Sequence, residues 1–148
     1  MGLTIEVPSQ YGLVLVAASS TFFLNLWHIL LTSSARKASG IKYPVAYASK
    51  EEADKDKNAL LFNCAQRAHA NFTEQLTPFL GELLIAGLRW PVPAAAMGLS
   101  WTLARTVYAT SYARGGPQAR VIPSSIAFLL EISLKLMATT AAVTYALQ

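Results

Sequence analysis

Residues 67–74, Arg-Ala-His-Ala-Asn-Phe-Thr-Glu, place strong polar groups inside a run that otherwise reads as membrane-spanning. At about 100° per residue, Arg67, Asn71 and Glu74 fall within roughly 60° of one another on a helix, stacked along one face. A charge near the bilayer centre costs ~2.5–3.5 kcal/mol on insertion scales, so this row requires a polar partner, either another helix or a bound polar ligand. Asn63 extends it one turn back. A second row follows, in which Trp101, Arg105, Tyr108 and Tyr112 recur at intervals of four, three and four. Beyond Tyr112 come Arg114, the Gly115-Gly116-Pro117 turn and Arg120. Facing each other, the two rows would form a cleft holding cationic, anionic and hydroxyl groups. Such a cleft suits a small zwitterionic or polyanionic ligand better than a purely apolar one.

The elements that must position these rows follow from composition and punctuation. The chain has 148 residues, enough for one domain, with 53% hydrophobic and only 14% charged residues. Residues 11–32 carry no Asp, Glu, Lys or Arg, 92–113 only Arg105, and 121–147 only Glu131 and Lys135. Each run is long enough to cross ~30 Å of hydrocarbon. Residues 59–88 are the polar exception, with Arg67, His69, Glu74 and Glu82. The reading is all-α: an integral membrane four-helix bundle of up-down-up-down order, with helices over about 10–33, 59–88, 92–114 and 121–147. Tyr43-Pro44 is expected to stop the first helix from continuing, and Trp90-Pro91-Val92-Pro93 to make the turn between the second and third. Gly115-Gly116-Pro117 is expected to end the third helix, with Pro123 in the first turn of the fourth.

Orientation follows from the basic residues. The first loop holds Arg36, Lys37, Lys42, Lys50, Lys55 and Lys57, and the third holds Arg114 and Arg120, against only Arg89 in the opposite turn. The positive-inside rule therefore puts loops one and three in the cytosol. Residues 1–10 lack a basic n-region, which argues against a cleaved signal peptide, and Glu6 stands where myristoylation of Gly2 would need Ser or Thr. The net charge of +4 reflects topology rather than nucleic-acid binding, because the basic residues of loop one alternate with Glu51, Glu52, Asp54 and Asp56.

The segment Phe62-Asn-Cys-Ala-Gln-Arg67-Ala-His-Ala-Asn71-Phe-Thr-Glu74 resembles the signature of the membrane-associated eicosanoid and glutathione metabolism family (MAPEG). The likeness is greatest to its type-three microsomal glutathione S-transferase branch, with leukotriene C4 synthase a close relative. Ala35-Arg36-Lys37, Tyr43-Pro44, Ala104-Arg105, Tyr108, Tyr112 and Gly116-Pro117 before Arg120 extend the match. The resemblance implies a homotrimer with glutathione bound between neighbouring subunits and a lipophilic electrophile or lipid hydroperoxide as second substrate. It implies an integral protein of the endoplasmic reticulum or another internal membrane. Carried onto this sequence, Arg67 and Asn71 would hold carboxylate or peptide groups of glutathione, and Glu74 its α-ammonium. Tyr108 and Tyr112 would reach the γ-glutamyl end, His69 the glycyl end, and Arg36 would come from the adjacent subunit. Arg120 would hold the thiolate, with Arg114 as the substitute. Gln75 stands where leukotriene C4 synthase has Tyr, and Arg120 falls one residue later than that enzyme's arginine, a spacing that suits the type-three branch.

The need for a cation at the thiol is independent of any family. A thiol of pKa ~8.5 is mostly protonated at neutral pH, yet the thiolate is the nucleophile. Lowering that pKa by two units takes ~2.7 kcal/mol, and one guanidinium at ~4 Å supplies a comparable amount at an effective dielectric of ~20. No metal is required.

Each feature also has a structural reading. The Arg67/Asn71/Glu74 row would serve equally as a network joining helices. Arg105 is expected to be structural, partnering Glu82 or Glu74, and Glu131 and Lys135 an intrahelical ion pair. Cys64 is expected to be a small buried residue and His28 a hydrogen-bonded or interfacial one. Two functions remain: a membrane glutathione transferase and peroxidase, or a non-catalytic lipid-binding scaffold of the same family.

Overall fold

The structure, a computed structural model, describes residues 5–147; Met1, Gly2 and Gln148, and with them the N-terminal signal and myristoylation readings, lie outside the described residues. All regular structure in that range is helical: α1 (Tyr11–Ser39), α2 (Lys50–Lys55), α3 (Lys57–Arg89), α4 (Pro91–Gly115), a 3₁₀ turn (Pro117–Arg120) and α5 (Val121–Ala146). α1 packs on α3 and α4, and α5 packs on the same two helices.

α1 outruns the expected residue 33 by about one and a half turns. It is not ended by Tyr43-Pro44. Gly40 ends it, in the left-handed conformation at φ 70°, with its N–H donating to the Arg36 carbonyl at 3.1 Å. Arg36 and Lys37 in the last turn complement the helix dipole, so these basic residues extend the helix rather than open the loop. The loop that follows contains a helix the hydropathy pattern hides. Ser49 caps α2 and Glu52 reaches back to the Ser49 N–H, a reciprocal capping box. Hydrogen bonds from the Ser49 hydroxyl and N–H hold the Glu52 carboxyl below its usual range. Between α3 and α4 the connection is the single residue Trp90, with Pro91 taking the first helical position of α4.

α1 and α3 run in opposite directions: the Tyr11 hydroxyl donates to the Leu84 carbonyl at 3.0 Å, while Leu31 packs with Ala65 near the other end. α3 and α4 are likewise antiparallel, with Phe79 stacked on Trp101 at 3.7 Å and Asn71 meeting Arg105 further along. Close approach depends on small residues. A Cβ on Gly98 would lie 2.9 Å from Leu83 and 3.2 Å from Ala17, so α1, α3 and α4 converge there because position 98 has no side chain.

Two helical runs, Tyr11–Ser39 and Pro117–Ala146, are long and apolar enough to cross a membrane, each containing an 18-residue stretch of mean hydropathy 1.7. α3 and α4 fall short of that standard because of the polar rows they carry. The outer surfaces differ in kind. Phe22, Phe23, Leu129 and Leu136 are exposed apolar residues on α1 and α5, whereas α3 exposes Arg67, Thr73, Glu74, Thr77 and Gly81.

Candidate functional site

The first row stays together on α3, but its members face different partners. Arg67 and Glu74 are two turns apart, and the guanidinium spans both carboxylate oxygens, at 2.9 Å and 3.5 Å. Both side chains are about half exposed on the outer face of α3, 51% and 50%, which leaves the pair open to exchange for a ligand. Asn71 instead points into the bundle, where its Oδ1 accepts from Arg105 Nη1 at 2.9 Å.

That contact corrects the expected partner of Arg105. Glu74 is taken by Arg67, and Glu82 by Lys135 Nζ at 2.9 Å, so neither carboxylate reaches it. Arg105 is 4% exposed and lies against the rings of Tyr108 and Trp101, at 4.5 Å and 5.6 Å. Lys135 also pairs with Glu131 one turn earlier, which makes the expected intrahelical pair part of a three-residue cluster joining α3 and α5.

Tyr108 and Tyr112 leave α4 on one face and meet edge to face at 5.8 Å, packed over Cys64 and Ala68 of α3. Cys64 is thus a small buried residue beneath the two phenols. The Gly116 N–H closes the end of α4 on the Tyr112 carbonyl, and the 3₁₀ turn brings Arg120 back over the Tyr112 ring at 4.9 Å. Arg120 itself is exposed. Arg114 faces elsewhere, lining a groove with Trp27, Leu31, Ala35 and Leu61 between α1, α3 and α4.

Other residues of the sequence reading lie apart from this cluster. Trp101 belongs to the core rather than the cleft, stacked on Phe79 and fully buried. Asn63 clasps the first loop, accepting from the Ala48 N–H at 2.8 Å and donating to the Ala48 carbonyl at 2.9 Å. His69 points toward α1 and stacks on His28 at 5.5 Å, and His28 in turn lies on Phe72 at 4.8 Å. Stacking holds His28, and its Nε2 has no hydrogen-bond partner among the described residues. The Arg36 guanidinium sits between Tyr43 and Phe62 and donates to the Val45 carbonyl at 2.8 Å.

Tyr47 and Gln66 were not anticipated. They share a shallow pocket with His69, Ala70 and Thr73, and Gln66 also holds the loop through the Ala46 carbonyl. The signal for Gln66 was its adjacency to Arg67 on the same turn; Tyr47, in an irregular loop, gave none.

The model of the MAPEG family matches residues 14–140, most of the chain. The chain belongs to the MAPEG family. MAPEG proteins are membrane-associated, use glutathione, and include glutathione transferases and enzymes of lipid metabolism. In this MAPEG chain the matched span runs from within α1 to within α5 and contains both rows, the first loop and Arg120. The clustered groups are a guanidinium–carboxylate pair that a zwitterion would divide, two phenols, and a second guanidinium displaced toward the end of the helices.

Proposed function

We propose that this MAPEG protein is an integral membrane glutathione S-transferase of the type-three microsomal branch, and also a glutathione-dependent lipid peroxidase. The observation that carries the reading is the exposed Arg67–Glu74 pair on α3, with Tyr108 and Tyr112 packed over Cys64 of the same helix and Arg120 seated over the Tyr112 ring. Glutathione would divide the Arg67–Glu74 pair, its α-ammonium meeting Glu74 and a carboxylate meeting Arg67. That exchange retains charge compensation on both sides, so neither charge is left bare near the membrane. Asn71 would bind the peptide, Tyr108 and Tyr112 the γ-glutamyl end, and Arg120 the thiolate. The seat of Arg120 over the Tyr112 ring supports it over Arg114, which lines a separate groove.

In conjugation the thiolate sulfur bonds to an electrophilic carbon of the lipid, and the departing group leaves with the bonding pair. In peroxide reduction the sulfur takes the distal oxygen of the hydroperoxide and the lipid leaves as an alcohol after protonation. A second glutathione then converts the sulfenic form to disulfide and water. In both reactions the apolar substrate arrives through the bilayer.

The assembly belongs to the same proposal: four spans in up-down-up-down order and three copies around α3, in an internal membrane such as the endoplasmic reticulum, with loops one and three cytosolic. The antiparallel contacts of α3 with α1 and α4 support the order. The polar, small-residue outer face of α3 supports its burial against another copy, since such a face is poorly solvated by lipid. Arg36 and His69 lie away from the Arg67 face, and a neighbouring copy would supply them to it.

The test is calorimetric titration of the purified full-length protein in detergent with glutathione, followed by turnover against lipid hydroperoxides and conjugated electrophiles. Saturable binding with turnover is expected. Binding of neither glutathione nor its oxidised form would leave the scaffold reading in its place.

A further inference from the structure

Tyr47 is 45% exposed in an irregular stretch of the first loop, yet the chain on both sides of it is tied to α3. The Ala48 N–H donates to Asn63 Oδ1 at 2.8 Å and the Ala48 carbonyl accepts from Asn63 Nδ2 at 2.9 Å. On the other side the Ala46 carbonyl accepts from the Gln66 amide. Three side-chain bonds thus fix the residues flanking one phenol that itself lies outside the core. Tyr47 lines a pocket of about 210 Å³ with Gln66, His69, Ala70 and Thr73. The imidazole in that pocket is also held, since His69 stacks on His28 at 5.5 Å and buried His28 stacks on Phe72 at 4.8 Å. A phenol and an imidazole fixed before any ligand arrives form a preorganised pair of hydrogen-bond donors.

Their place on α3 selects the ligand they meet. At about 100° per residue, Gln66, His69, Ala70 and Thr73 centre roughly 100° around the helix from Arg67 and Glu74. The pocket lies on the α1 side of the outer face of α3, where His69 reaches His28, and the ion pair lies toward α4, where Asn71 reaches Arg105. In a ring of copies joined through this face the contact is heterologous, so the α1 edge of one copy meets the α4 edge of the next.

We propose that Tyr47 is a further glutathione-binding residue that acts across the subunit boundary. Its hydroxyl, with the His69 imidazole, donates to the glycyl carboxylate of a glutathione seated on the Arg67–Glu74 pair of the neighbouring copy. The inference rests on the glutathione reading, and adds to it a residue and a reason for the clasp on the first loop. Two neutral donors suit a carboxylate, whose two oxygens accept from both, and suit neither an ammonium nor an apolar chain.

The test is steady-state turnover of the full-length protein in detergent at varied glutathione concentration. Tyr47→Phe removes one exposed hydroxyl. It should raise the glutathione KM about three- to tenfold and leave kcat within about twofold, because the glycyl end is remote from the sulfur. The glycyl ethyl ester of glutathione has no carboxylate there and should show the same KM with both proteins. Co-expression of Arg67→Ala and Tyr47→Phe copies under different tags, with mixed assemblies isolated through both tags, locates the residue. The first copy still carries Tyr47 and the second still carries Arg67, so low-KM turnover should return in the mixed assembly and appear in neither parent. An unchanged glutathione KM in Tyr47→Phe overturns the proposal and leaves the glutathione reading intact. A KM raised equally for acid and ester makes Tyr47 structural and overturns it as well. Mixed assemblies without low-KM turnover place Tyr47 and Arg67 in one chain's site and overturn the crossing. Failure of the unaltered protein to bind glutathione removes both readings together.

Discussion

Arg67 and Glu74 face each other two turns apart on α3, guanidinium to carboxylate at 2.9 Å, with both side chains about half exposed on the helix's outer face. The pair compensates both charges on the outer face of α3 without burying either within the chain. Its value on the proposed function lies in presenting both charges of a zwitterion's complement, already compensated.

Glu74→Gln should therefore weaken glutathione binding by ~1–3 kcal/mol, the range for a charge-assisted contact, while thermal stability without ligand changes little. Calorimetry beside a melting curve reads both. A variant that melts earlier and keeps its glutathione affinity would make the pair structural.

Arg120 and Arg114 are separated by the turn that ends α4: Arg120 lies over the Tyr112 ring, and Arg114 lines the groove between α1, α3 and α4. Arg120→Ala should leave glutathione affinity nearly unchanged, lower the thiolate absorbance of the complex at neutral pH and reduce turnover about tenfold or more, since each pKa unit corresponds to ~1.4 kcal/mol. Arg114→Ala should alter none of these. The reverse pattern would transfer the thiolate role to Arg114.

Gly98 is where α1, α3 and α4 come closest, and any side chain there meets Leu83 and Ala17. Gly98→Val should destabilise the fold by about 1–3 kcal/mol, the range for overpacking. Gly81→Ala, on the open face of α3 where a Cβ meets nothing within 4 Å, should leave the single chain's packing unchanged. Thermal denaturation in detergent compares them, and equal melting temperatures for Gly98→Val and the unaltered protein would refute the close approach.

The capping box of α2 gives a pH signature. The Glu52 carboxyl is held below its usual range by Ser49, so its contribution is complete above the unfolded carboxylate pKa of ~4.3 and is lost as pH falls through the lower folded value. Amide exchange in residues 49–55 should stay protected from neutral pH down to about pH 5 and lose protection below about pH 4, after correction for intrinsic rates. Ser49→Ala should remove that dependence, and an unchanged profile would assign the titration to another group.

Local rules in the sequence were sufficient for much of this protein. Apolar runs and turn residues located the four long helices, and helical spacing put Arg67 with Glu74 and Tyr108 with Tyr112 on common faces, because each is a property of one helix. The end of α1 at Gly40 and the cap at Ser49 were also local, but short polar signals are weak beside hydropathy. What lay beyond reach was every choice between helices. Asn71 shares a face with Arg67 in the sequence, yet the packing of α3 on α4 turns it to Arg105. Glu82 was an equally plausible partner for Arg105 until α5 brought Lys135 beside it. Arg120 and Arg114 differ only by six positions in the sequence, and a 3₁₀ turn decides which one reaches Tyr112. Helical periodicity gives the direction of a side chain about its own axis. Only the distances and rotations between axes, set by close contacts such as Gly98 on Leu83, decide which charge that side chain meets.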